Sequence, residues 1–373
     1  MKDNKFFPEV KGNFGFGMMR LPMTGEKVDI PQTCEMVDAY LQAGFNYFDT
    51  AHGYIGGLSE LAIGECIAKR HDRSEFVLAD KLSKNYFNSL QEADQVFEEQ
   101  LQHCGVEYFD FYLMHSQSSK TYDHFNSLGV YEHMMQKKKE GKIRHFGISF
   151  HDKPEYLEMI LKAHPQIEFV QIQFNYRDYE DSMVCSKANY EMCQKYGKPC
   201  FIMEPVKGGF LANPGEEGIA VFGEGASAAS YALRFAAGFE NNAVVLSGMS
   251  TTQQMQDNLS TMKDFTPLNE EEKEKVEKVR QILVNSTMIP CTGCRYCTET
   301  CPMDIPIPDI FSIMNAKGQF AASWDYYLEK MYTDACKDKG KASDCIGCRS
   351  CEDICPQHIE ISALIANAKE DFE

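Results

Sequence analysis

Two runs of cysteine near the C-terminus carry the most specific chemistry in the chain. Cys291, Cys294, Cys297 and Cys301 precede Pro302, and Cys345, Cys348, Cys351 and Cys355 precede Pro356, so both runs read C-x2-C-x2-C-x3-C-P. Three thiolates set three residues apart can wrap an iron–sulfur cubane on one turn-rich loop, while the fourth, beyond a wider gap and before proline, ligates the neighbouring cluster. The expected ligand sets therefore cross: Cys291, Cys294 and Cys297 with Cys355, and Cys345, Cys348 and Cys351 with Cys301. A structural zinc site uses two C-x2-C pairs and needs neither the C-x3-C-P step nor the duplication. Two [4Fe–4S] clusters are the expected metal groups, serving either electron transfer or structure.

A second reactive set lies in the first third of the chain: Asp49 and Tyr54 in FDTAHGY, Lys81 in LADK and His115 in FYLMHS. A tyrosine with a pKa of about 10 is a poor acid at neutral pH, and a neighbouring ammonium improves it by stabilising the phenolate. A carboxylate can hold that ammonium, and an imidazole can hydrogen-bond the phenol or a substrate oxygen. Each residue alone has an ordinary reading, as a helix cap, a rim tyrosine, a solvated lysine or a satisfied core histidine. Brought together they form a proton-delivery device.

What must position them is a sheet. From about residue 10 to 262, short β-branched or aromatic runs alternate with helical patterns, which predicts parallel strands joined by crossover helices. The strand candidates are NFGFGM, FNYFDT, EFVLADK, YFDFYLMH, KIRHFGIS, EFVQIQFN, PCFIMEP and NAVVLSG; PQTCEMVDAYLQAG, SLQEADQVFEEQLQHCG and ASAASYALRFAAG typify the helices. Eight such units suggest a closed (β/α)8 TIM barrel, with an open doubly wound sheet as the alternative. Gly12, Gly15 and Gly17 lie inside the first strand candidate and do not follow it, so a Rossmann G-x-G-x-x-G site is disfavoured. In a barrel, side chains at successive C-terminal strand ends converge on one mouth, where Asp49, Tyr54, Lys81 and His115 would meet.

FDTAHGY, GGLSELAIGECI, LADK, DFYLMHS, GKIRHFGIS and SGMSTTQQMQDN, in this order, resemble the aldo-keto reductases over essentially the whole barrel. That resemblance implies an oxidoreductase binding NADPH or NADH in extended form and transferring hydride to or from a carbonyl or alcohol substrate. Tyr54 is then the general acid, assisted by Lys81, Asp49 and His115. It also implies Ser149 and Gln171 at the nicotinamide carboxamide, and Glu204, Val206 and Gly208 along the pyrophosphate. Gly248, Ser250, Gln254, Asp257 and Asn258 fall around the adenosine half, with Gly17 and Met18 lining the groove. Two departures stand out: Phe150 follows Ser149 where many members have Asn or Arg, and STTQQMQDN contains no cation for a 2′-phosphate. Lys207 or Lys263 is a candidate for that charge, or a solvated surface lysine. The cysteine region resembles two-cluster bacterial ferredoxins; its long spacer, with Ile310, Ile313 and Met314 at helical spacing, matches the mainly α-helical ferredoxin domains of multi-subunit reductases.

Domains are expected at residues 1–265 (barrel), 266–285 (connecting helix) and 286–373 (cluster domain). Asn269 should cap the connecting helix, which Val276, Val279 and Leu283 should dock, with EEEKEK solvated. The chain has 37 Lys and Arg against 55 Asp and Glu, a net of −18, which disfavours nucleic acid as a partner. Residues 286–373 hold eight Lys and Arg against fourteen Asp and Glu, permitting a positively charged redox protein partner. No apolar run reaches the roughly 20 residues of a membrane span, and MKDNKFFPEV has no signal-peptide core, so a cytoplasmic location is expected. The other cysteines, Cys34, Cys66, Cys104, Cys185, Cys193 and Cys200, read as buried small apolar residues, as does Cys336. The competing function is a non-catalytic nucleotide-sensing or electron-transfer subunit of a larger redox complex.

Overall fold

The computed structural model describes residues 4–286, 288–317 and 325–373. The chain divides into two compact units, one comprising residues up to Val206 with Glu224–Val276, the other Lys207–Gly223 with Glu277–Glu373.

Among its described residues the first unit contains ten strands: β1 (Phe14–Gly17), β2 (Met23–Thr24), β3 (Lys27–Val28), β4 (Tyr47–Asp49), β5 (Val77–Leu82), β6 (Phe109–Gln117), β7 (Ile143–Phe150), β8 (Phe169–Gln173), β9 (Cys200–Met203) and β10 (Asn242–Gly248). β2 and β3 form a small antiparallel hairpin that the sequence pattern did not disclose. The other eight correspond to the eight strand candidates and close into a parallel barrel in the order β1-β10-β9-β8-β7-β6-β5-β4. Closure excludes the open doubly wound alternative. Gly12 lies before β1, in a left-handed turn at φ 74°.

Side chains alternate across each strand with a period of two, and the barrel uses both faces. Phe14 and Phe16 join the shell between strands and helices, whereas Gly15 faces inward, where a Cβ would lie 2.6 Å from Leu246. Inside, Tyr47, Val77, Ala79, Phe111, Leu113, Phe169, Phe201 and Leu246 form an apolar layer with Phe7 and Val10 from the N-terminal segment. The ring of Phe111 lies 5.0–5.3 Å from those of Phe7, Tyr47, Phe169 and Phe201. One further inward step along β4, β5, β6 and β8 reaches Asp49, Lys81, His115 and Gln171, so the residues that alternate with core positions become the polar floor of the mouth.

The covering helices follow local signals. Leu90–Cys104 starts where Ser89 Oγ accepts from the Glu92 amide and stops at Gly105, whose φ of 67° suits a residue without Cβ. Asn269 caps Glu270–Asn285: its side chain accepts from the Glu272 amide at 2.9 Å, and Glu272 accepts from the Asn269 amide in return. Val276, Val279 and Leu283 are buried. Cys66, Cys104, Cys193, Cys200 and Cys336 are buried as expected, but Cys34, inside the helix Ile30–Gln42, and Cys185, just before the helix Ser186–Lys195, are only half-buried.

Among its described residues the second unit is built from helices, including Ile307–Lys317, Asp325–Ala335 and Ile361–Phe372. Ile305, Ile307, Ile310, Phe311, Ile313, Leu328, Ile361 and Ile365 form its core, so Ile310 and Ile313 pack inward at the expected spacing while Met314 is partly buried. Replacement Phe111→Ala in the barrel should cost about 3–5 kcal/mol, through lost transfer energy plus a cavity the four surrounding rings cannot fill. Chemical denaturation should show an early loss of barrel signal; an unchanged midpoint would remove this layer from the list of stabilising contacts.

Candidate active site and cluster-binding cysteines

Asp49 ends β4 in register with Gly17 of β1 and Ala79 of β5, and Lys81 lies beside Leu113 of β6. Lys81 Nζ donates to Asp49 Oδ1 at 2.6 Å and to the Thr50 carbonyl at 2.5 Å. The two side chains are 1% and 5% exposed, so this ion pair is withdrawn from water. Burial pushes the Asp49 carboxyl above its ordinary value, and the Lys81 charge and hydrogen bond oppose that push. The ammonium lies 4.8 Å from the centroid of the Tyr54 ring, and the His115 ring meets the same tyrosine edge-on at 5.9 Å. Burial holds the His115 imidazole well below its ordinary pKa, reinforced by the charges of Lys81 and His151. His115 Nδ1 is hydrogen-bonded to Ser83 Oγ at 2.6 Å. All four expected residues thus converge, around a neutral imidazole and a buried ammonium.

Tyr54 is presented by a loop whose anchors the residue pattern did not reveal. Ser59 Oγ donates to the Met18 carbonyl at 2.9 Å and accepts from Thr50 Oγ1 at 2.7 Å. Glu60, fully buried, is hydrogen-bonded to His52 Nδ1 at 3.1 Å and to His103 Nδ1 at 2.9 Å. Burial works against the charge on His52, yet Glu60 holds that imidazole above its ordinary value. Gly57, at φ 87°, makes the left-handed reversal between Tyr54 and these anchors without a Cβ clash. The available signal was the polar Ser-Glu pair inside the apolar run GGLSELAIG.

Around this floor, Ser149 Oγ accepts from the Ser116 amide at 2.7 Å. Gln171 Nε2 reaches Asp49 Oδ2 at 3.5 Å, whereas Gln171 Oε1 is buried with no hydrogen-bond partner among the described residues. A buried acceptor left open in this way fits a primary amide such as a nicotinamide carboxamide. Gly17 is in register with Gly248, and Met18 is buried. Asn258 Nδ2 donates to Ser247 Oγ at 2.8 Å, Gln254 Oε1 accepts from the Ser250 amide at 2.7 Å, and Asp257 accepts from Ser227 Oγ at 2.6 Å.

The structure also places a cation beside the STTQQMQDN loop. Ser250 Oγ donates to the Arg20 carbonyl at 2.9 Å, the Arg20 side chain runs alongside Gly248, and its guanidinium lies 3.7 Å from Glu204. Arg20 was missed because it is remote in sequence from STTQQMQDN and meets it only through β1–β10 pairing. Lys263 is exposed. Lys207 is neither solvated nor free: it is buried and donates to Gln357 Oε1 in the second unit. Gly208 belongs to that unit as well, with a φ of 64° and a Cβ position that would collide with the Thr292 backbone. Val206, partly buried, packs on the barrel core.

Two cavities in the second unit separate the eight cysteines. One is lined by Cys291, Cys294, Cys297 and Cys355, the other by Cys301, Cys345, Cys348 and Cys351. Burial pushes the Cys297 thiol up, and the nearby charges of Cys294, Cys291 and Cys355 push it further. Cys351, pushed up to about 11 by burial and Glu352, also feels Cys301. Each group holds four soft sulfur donors and suits a thiolate-ligated iron–sulfur cluster.

Residues 13–226 match the Aldo/keto reductase family, more than half of the chain. The chain belongs to that family. Residues 290–360 match a 4Fe-4S dicluster domain. An aldo-keto reductase of Mycobacterium avium is 32% identical over 136 residues, covering 35% of this chain and 44% of its own length. Norsolorinic acid reductase B of Aspergillus parasiticus is 37% identical over 79 residues, 21% of this chain and 20% of its own. This chain therefore matches less than half the length of these curated relatives. Among solved structures, the holo form of an aldo-keto reductase from Bacillus halodurans superposes with a TM-score of 0.58 at 23% identity, covering 72% of this chain and 92% of that one. One from Klebsiella pneumoniae in complex with NADPH gives 0.59 at 18%, covering 73% and 95%. These likenesses establish the barrel fold.

Two outcomes follow for this aldo/keto reductase family member. Lys81→Met strands the Asp49 carboxylate in the interior and should cost about 3–5 kcal/mol, while adding Asp49→Asn should restore most of that loss. Equal stability of single and double variants in urea would show that the pair is not coupled. His115 is held neutral in the folded state, so on acidification the unfolded chain takes up a proton first. Stability should fall as pH drops below about 6.5 towards the depressed value; His115→Gln should flatten that slope, and a profile identical to wild type would refute the assignment.

Proposed function

We propose that the barrel is an NAD(P)H-dependent oxidoreductase that interconverts a carbonyl and an alcohol, with Tyr54 as general acid, and that the C-terminal unit carries two [4Fe–4S] clusters. The supporting observation is the convergence of the Tyr54 ring on the buried Lys81–Asp49 pair and the neutral His115.

When bound, the nicotinamide supplies or accepts the hydride at the carbonyl carbon, and the clusters supply one-electron chemistry. The remaining work falls to side chains. Lys81 stabilises the phenolate left when Tyr54 gives its proton to the carbonyl oxygen, and Asp49 fixes the ammonium by a hydrogen bond it cannot exchange with water. In the tautomer where Ser83 donates to His115 Nδ1, an N–H at Nε2 would orient the substrate oxygen. Gln171 Oε1 and Ser149 would hold the carboxamide, so that one ring face meets the substrate. Gly17 and Met18 line the groove, Glu204 and Val206 follow the pyrophosphate, and Gly248, Ser250, Gln254, Asp257 and Asn258 surround the adenosine half. Arg20, which also pairs with Glu204, is the cation assigned to a nucleotide phosphate, whether the cofactor is NADPH or NADH. Cys291, Cys294, Cys297 and Cys355 would hold one cluster, and Cys301, Cys345, Cys348 and Cys351 the other.

The substrate is a small carbonyl or alcohol compound. Tyr54→Phe removes only the acidic proton, so kcat/KM for carbonyl reduction should fall about 10²–10⁴-fold with nucleotide affinity unchanged. Anaerobic titration of the iron-loaded protein with NADH and with NADPH, following nicotinamide absorbance, measures that affinity. Full turnover by the phenylalanine variant would defeat the enzymatic reading and favour a nucleotide-sensing module.

A further inference from the structure

Glu60 holds a carboxylate in the interior of the barrel unit, and what faces it is a pair of imidazoles. The residue is fully buried. His52 Nδ1 lies 3.1 and 3.3 Å from its two oxygens, and His103 Nδ1 lies 2.9 Å from one of them. Among the described residues no lysine or arginine pairs with Glu60. Further carboxylates act on the same region, Glu99 on His52 and Glu60 itself on Asp80. An ionised carboxylate withdrawn from water needs a counter-charge, and an imidazole supplies one only while it is protonated.

Three separate pieces of chain deliver these groups. His52 lies two residues before Tyr54 in its loop, Glu60 is on the helix Leu58–Ile63, and His103 is in the last turn of the helix Leu90–Cys104. Gly64, one turn beyond Glu60, lets the two helices approach, because a Cβ there would stand 2.6 Å from the His103 carbonyl oxygen. The two imidazole rings are parallel within 1°, with centroids 6.2 Å apart, and both turn Nδ1 to the carboxylate. The three ligating atoms all lie within 4.8 Å of one another. Zinc bonds of about 2.0–2.1 Å place neighbouring ligand atoms about 3.3 Å apart. Both nitrogen–oxygen separations are already close to that value, and small side-chain rotations bring the two nitrogens to it. The His103 side chain is 37% exposed, which gives the ion a way in and leaves one side of the site open to water.

We propose that His52, Glu60 and His103 bind one divalent transition-metal ion of the zinc class, with water completing the shell, and that this ion fastens the loop bearing Tyr54. Imidazole and carboxylate together suit zinc, whereas magnesium and calcium take shells of oxygen. The ion joins the stretch before Tyr54 to the helix after it and to the end of a second helix. It supplies a permanent counter-charge for Glu60 where the imidazoles offer only a titratable one. The site stands apart from hydride transfer, and from the two cysteine groups, which offer sulfur.

The test uses the iron-loaded full chain, freed of loose metal by a chelator and dialysed anaerobically against a slight excess of zinc chloride. Wild type should take up about one zinc per chain more than His103→Ala, and X-ray absorption at the zinc edge should show nitrogen and oxygen neighbours at about 2.0–2.1 Å, where cysteine ligation would give sulfur at about 2.3 Å. Amide hydrogen exchange across residues 50–60 should slow when zinc is added to wild type and stay unchanged in the variant. His103→Gln keeps a hydrogen-bond donor for Glu60 but is a poor zinc ligand, so it should fold like wild type and still lose the zinc; it decides the matter if His103→Ala does not fold. Zinc held by sulfur alone, equal uptake by wild type and the folded variant, or no uptake by wild type overturns the site. Bound zinc with unchanged exchange across residues 50–60 overturns the fastening of the loop.

Discussion

A lysine and an aspartate facing each other in the interior of a barrel can persist only as a pair, because either charge alone would forfeit its hydration with nothing in return. Lys81 and Asp49 meet this condition at 2.6 Å, with the Thr50 carbonyl taking a second ammonium proton. The rest of the mouth is organised around them. Gln171 reaches the other Asp49 oxygen, Tyr54 lays its ring against the ammonium, and His115 is kept neutral by burial and by that same charge. The pair in turn depends on barrel closure, since Asp49 and Lys81 come from adjacent strands whose relative height is set by backbone register.

The layering below explains why the pair does not loosen. Phe111, Phe169, Phe201 and Tyr47 fill the barrel beneath the polar floor and close the interior to water, which strengthens electrostatic interactions at the mouth. Above it, the Tyr54 loop is tied down by Ser59 and by the Glu60 carboxylate shared between His52 and His103. Side chains without any direct chemical task therefore decide where the phenol stands.

In the C-terminal unit the eight thiols of two short runs are sorted into two groups of four, each lining its own cavity and each completed by a cysteine from the other run. The same unit takes in Lys207–Gly223, so Lys207, expected from its sequence position near a nucleotide or in solvent, is instead buried against Gln357, which lines a cysteine cavity. No helix among the described residues is long and apolar enough to cross a membrane.

Local rules were enough for much of this. Period-two and helical patterns located all eight barrel strands, Asn269 marked a helix start, and the cysteine spacing carried the crossed grouping, because strand pleat, capping and residue spacing are properties of a few consecutive residues. Phe7 in the barrel interior, the anchoring of Glu60 by His52 and His103, Arg20 beside Gly248 and Lys207 on Gln357 were not legible. Apart from the His52–Glu60 contact, these join residues tens or hundreds of positions apart through backbone register or packing, and a one-dimensional pattern holds no record of that geometry. Residue types and short spacings determined which chemistries this protein can perform; only the tertiary structure decided which charges stand close enough, and far enough from water, to perform them.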